Sequence, residues 1–122
     1  MVVVEQYQYK KERTEILRGI KNYHEEQGND PVKFLRDFLN DLTIAIHSIR
    51  NEPFLSPDFP FPVKKKLFSK GKNQSVILYL LVPINHQNDT SKIKEIYLTS
   101  IMLTQSGNYN EYVKGKINLI DF

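Results

Sequence analysis

Residues 75–82 read SVILYLLV, and the fold turns on how that run is seated. β-Branched and aromatic residues favour an extended chain, and Val76 to Val82 is apolar on both alternating faces. A strand with two apolar faces needs cover on both sides, which places it at the centre of a sheet. On either side of it, VKKKLF (63–68) and IKEIYLTSIMLT (93–104) also read as strands, separated from it by SKGKNQ with its Gly71 and by the polar PINHQNDTSK. The lysine strand alternates badly and belongs at an edge or beside a solvent-facing groove.

Upstream the period changes. VVVEQYQY (Val2 to Tyr9) is β-branched and aromatic and predicts an opening strand. KKERTEILRGIKNYHEE then sets Ile16, Leu17, Ile20 and Tyr23 at three- and four-residue spacing, a helix that stops at Gly28. NDPVKFLRDFLNDLTIAIHSIRN predicts a second helix, with Asp30 as N-cap, Pro31 in the first turn and an apolar face of Phe34, Leu35, Phe38, Leu42, Ala45, Ile46 and Ile49. The short connection folds the two helices into a hairpin. Prolines 53, 57, 60 and 62 make the next stretch an ordered connector whose Phe54, Leu55, Phe59 and Phe61 would lid the core. The expected class is α+β: an amino-terminal strand, a helical hairpin and a three-stranded antiparallel meander forming one sheet.

With 122 residues the chain fits one domain, 1–122, with a core over about 2–104 and a tail over 105–122. It has no cysteine, which excludes disulfides and thiolate metal sites and suits a cytoplasmic protein. No apolar run approaches the roughly 20 residues that span a bilayer, so no membrane partner is expected.

The net charge of +3 is unevenly placed. Residues 1–60 hold eight Lys/Arg against ten Asp/Glu, residues 61–75 five against none, and residues 76–122 four against four. The whole excess therefore lies in Lys64, Lys65, Lys66, Lys70 and Lys72. Such focusing suggests an anionic partner, although lysine also protects sheet edges from aggregation. In a strand Lys64 and Lys66 share a face and Lys65 takes the other. Crowded lysines also lose their protons more easily.

The order of elements, the helix ending IRNEP, the basic strand and VILYLLV together resemble the RelE/ParE superfamily of toxins from bacterial toxin–antitoxin pairs. The resemblance covers Val2 to about Thr104. It implies a cytoplasmic toxin paired with a cognate antitoxin protein, acting either as a ribosome-associated, metal-independent mRNA endonuclease or as an inhibitor of DNA gyrase. A non-catalytic relative that binds RNA or a protein is the third possibility. For the ribonuclease, the resemblance makes Lys64, Lys66, Tyr79 and Tyr109 the catalytic set, with Lys65, Lys70 and Lys72 gripping flanking phosphates. Tyr112 is an alternative to Tyr109. No cofactor is implied. Arginines that the family carries near Gln74 or Ser75 and near Leu103 or Thr104 are absent here, and the guanidinium fork suits a phosphate that gains charge. A weakened or inactive enzyme is therefore among the alternatives. His24, His47 and His86 lack the spacing of a ligand cluster, so no metal site is expected.

Overall fold

A computed structural model describes residues 1–59, 62–70, 74–84 and 89–105. Its elements are β1 (Val2–Glu5), α1 (Tyr7–Glu26), α2 (Val32–Asn51), β2 (Lys64–Phe68), β3 (Ser75–Val82) and β4 (Glu95–Leu103), with a 3-10 turn at Thr90–Lys92. Four strands form one sheet in the order β1-β4-β3-β2. The class is α+β, as expected, and β3 takes the interior position that its two apolar faces require. β2 takes the edge.

The sheet is mixed and four-stranded, which corrects the expectation of a three-stranded antiparallel meander by adding β1 to it in parallel. β2, β3 and β4 pair antiparallel, but β1 lies parallel to β4, from Val2 beside Glu95 to Glu5 beside Leu98. β1 is also shorter than expected. Tyr7 to Tyr9 begin α1, and the Gln6 N–H donates to the Leu98 carbonyl at 3.1 Å where pairing stops. Burial decides this: as a helix the segment sets Tyr9, Glu12, Ile16 and Ile20 on one stripe toward the sheet, and Tyr9 is fully enclosed. That gain outweighs the β preference of a tyrosine-rich run. The stripe therefore begins about two turns earlier than the sequence suggests, and Tyr23 lies outside it, 55% exposed.

The hairpin turns at Gly28, whose φ of +76° closes α1 with a bond from its N–H to the Glu25 carbonyl at 3.0 Å. Pro31 already has helical dihedrals, −73° and −14°, and the Asp30 carboxylate accepts the Val32 N–H at 3.0 Å. Asp30 and Pro31 thus take the capping and first-turn roles expected of them.

Both helices lie on one face of the sheet. Alternation sends Ile77, Tyr79 and Leu81 of β3 toward them, together with Ile96 and Leu98 of β4, Phe38, Leu42, Ala45 and Ile49 of α2, and Phe68 of β2. A bulge in β4 opposite Leu78 and Tyr79 shifts the register by one residue. Leu98 and Ile101, three apart, can then both join this core, which a regular strand would forbid. Val63, Val76, Leu78, Leu80 and Met102 form a second buried cluster on the other face, with Phe59 and Tyr97 against it. Of the connector's apolar residues, Phe54 packs on the first core and Phe59 on the second, Leu55 is 71% exposed, and Phe61 lies outside the described residues. No described helix is long and apolar enough to cross a membrane.

Candidate functional site

Edge position and strand alternation fix where each lysine goes. Lys64 pairs with Tyr79 and Lys66 with Ile77, and both partners face the helices, so Lys64 and Lys66 share that face as expected. Lys65 is on the other, with its ammonium 4.3 Å from the centroid of the Phe59 ring.

The shared face does not make Lys64 and Lys66 equivalent. Lys64 is 6% exposed. Its Nζ donates to the Ser56 carbonyl at 3.0 Å and meets Asp58 Oδ1 at 3.0 Å. Asp58 itself bridges to Lys64 along the strand edge, with the Phe59 N–H on the Val63 carbonyl at 2.6 Å and the Lys65 N–H on the Pro57 carbonyl at 3.1 Å. The connector therefore lies as a short antiparallel partner on the first half of β2, and Lys64 fastens it there. Tyr79 is likewise internal: it is fully buried and donates its hydroxyl to the Pro53 carbonyl at 3.0 Å. Burial pushes its phenol pKa up. In this arrangement Lys64 and Tyr79 both hold the connector against the sheet.

Lys66 and Lys70 open instead into a groove of about 560 Å³ between α2 and the second half of β2. Asp41, Ile44, Ala45 and Ser48 form the helical wall, and Leu67, Phe68 and Ser69 complete the strand side. Ile44 is 67% exposed and Leu67 44%. Ser69, at φ +63°, turns the chain out of β2 and donates its hydroxyl to Asp41 Oδ2 at 2.9 Å, so the groove's acid already has a partner. Phe68 reaches under α2 to Phe38, with ring centroids 5.7 Å apart, and fixes the distance between the walls.

The positions where the resemblance would place arginines are adjacent in space. Ser75 pairs with Leu103 at one end of the β3–β4 ladder, and the Thr104 N–H donates to the Gln74 carbonyl at 2.9 Å. The Thr104 hydroxyl also donates to Gln74 Oε1 at 3.2 Å, so neutral side chains meet where the family resembled carries arginines. Lys72, Tyr109 and Tyr112, together with His86, lie outside the described residues.

His24 stacks flat on Phe34, with centroids 3.5 Å apart, and helps join the hairpin. Among the described residues no three His, Cys, Asp or Glu side chains could together hold a metal ion. No protein-family model, curated protein or solved structure matches the chain.

Asp41, Ile44, Ser48 and Ser69 escaped sequence reasoning. Ile44 carried a signal, because it is apolar outside the stripe of α2 that packs on the sheet. Ser69 and Asp41 carried none, since their contact spans 28 residues of chain.

Proposed function

We propose that this chain is a toxin of the RelE/ParE kind that arrests growth by gripping a macromolecular target through the groove between α2 and β2. The carrying observation is that the exposed aliphatic side chain of Ile44 lies in one groove with Lys66 and Lys70, while Leu67, exposed on the same strand as Lys66, is turned by alternation to the opposite face of the sheet edge. An apolar anchor flanked by cations suits a protein surface that carries acids. RNA is held by stacking on open aromatic rings as well as by cations, and the only ring in this lining, Phe68, is 8% exposed. Removal of Lys64 and Tyr79 into internal bonds weakens the case for cleavage further. DNA gyrase is the protein target that the sequence resemblance suggests.

A ribonuclease is the second reading, favoured by the pairing of Lys66 and Lys70 in that open groove, where two ammonium groups could hold a phosphate as its charge develops. Pulse labelling after induction in bacteria separates the two. Early loss of thymidine incorporation with methionine incorporation spared is the expected result. Early collapse of methionine incorporation would overturn the first reading in favour of the second.

A further inference from the structure

We infer that the open half of the β2 edge, Lys66–Phe68, takes an extended acidic peptide segment as an added strand. This rests on the groove being a binding surface, and it names the partner's conformation and chemistry.

The chain already seats one such segment on the other half of the same edge. Pro57–Phe59 lies antiparallel to Val63–Lys65 through two main-chain bonds, and it places an acid, Asp58, 3.0 Å from the lysine beside it. That contact stops at Lys65. Backbone groups of an antiparallel edge strand alternate between the sheet and the outside, so the outward bond of the Lys65 N–H sets Leu67 outward as well. The Leu67 N–H and carbonyl therefore point away from β3, no main-chain bond joins them to the connector among the described residues, and the residue stays 44% exposed. Outward edge groups of this kind are the usual template for strand addition.

The side chains define what could pair there. Lys66 lies two residues beyond Lys64 on the same face, so an incoming acid opposite Lys66 would repeat the Asp58–Lys64 arrangement. Ile44 and Leu67 offer apolar contact on either side of the new strand. A second copy of β2 is a poor occupant because its own lysines would meet Lys66 and Lys70. The added strand should thus alternate apolar residues with acids.

A displayed library of random twelve-residue peptides selected on the full chain tests this. Enriched peptides should alternate apolar and acidic residues and slow hydrogen exchange of the Leu67 amide at least tenfold. Their affinity should fall at least tenfold with Lys66→Glu and with Leu67→Pro. Proline is tolerated on an edge where the lost N–H faces outward, and the exchange measurement on the unaltered chain needs no variant. Enrichment of basic or helix-periodic peptides, or binding that leaves Leu67 exchange unchanged, would overturn the inference. So would a uridine decanucleotide that occupies these residues while no peptide is enriched. Growth arrest is scored separately: arrest that depends on Lys66 and Lys70 without strand-adding peptides would sink the inference and leave the groove intact as the working surface.

Discussion

Lys64 and Lys66 are two residues apart on one face, yet they have opposite fates, and the difference is a neighbouring segment. Lys64 is enclosed by the connector and satisfied by Ser56 and Asp58. Lys66 is open to the groove. Lys64→Ala should therefore cost about 1–3 kcal/mol, the usual penalty for breaking a charged, largely buried hydrogen-bonded contact. Lys66→Ala should stay within about 0.5 kcal/mol of the parent. Urea unfolding of the two variants measures the contrast, and equal losses would deny Lys64 its fastening role. Tyr79→Phe should cost about 1 kcal/mol by deleting the bond to Pro53.

Glu12 gives a second test at this scale. Its carboxylate accepts the Ser100 hydroxyl at 2.6 Å beside the β4 bulge and is 7% exposed, and burial raises its pKa despite that bond. With the folded pKa above the unfolded value, near 4.3, the native state binds the extra proton. Stability from this group is present below the unfolded pKa and is lost as pH rises through the folded one. Glu12→Gln should then gain on the parent between about pH 4 and neutrality, read from urea midpoints across that range. A constant difference would mean that the carboxyl is not perturbed.

Among the elements, those with a strong internal period were legible and those decided by distant partners were not. α2 could be read from its apolar stripe and from Asp30 and Pro31. The interior place of β3 followed from a run apolar on both faces, and the edge place of β2 from its lysines. β1 could be recognised but its parallel pairing could not, because nothing in VVVE records that Glu95–Leu98 will lie beside it. Tyr7 to Tyr9 misled because local β preference was opposed by burial of Tyr9 in a core assembled from the whole chain. At the site, alternation placed Lys64 and Lys66 together, but the connector that separates their roles is a tertiary contact. Two substitutions test the elements themselves. Asp30→Ala should cost about 1 kcal/mol as a lost helix cap. Phe38→Ala should cost about 3–5 kcal/mol by opening a cavity between α2 and β2.

For the whole molecule, packing divides the concentrated positive charge instead of presenting it as one patch. Lys64 secures the connector, Lys65 caps Phe59, and Lys66 and Lys70 frame a groove walled by the exposed Ile44, with Leu67 exposed on the other face of the same edge. On the proposed reading, a surface built this way grips a partner and does not cut. The most direct measurement is growth after induction in bacteria of the parent, of Ile44→Glu with Lys66→Glu and Lys70→Glu combined, and of Lys64→Met, each checked for folding by its thermal melt. Arrest by the parent and by folded Lys64→Met, with growth restored by the folded groove variant, is the predicted result. Arrest that survives in the groove variant but disappears with Lys64→Met would contradict it and return the function to the lysine that the fold encloses.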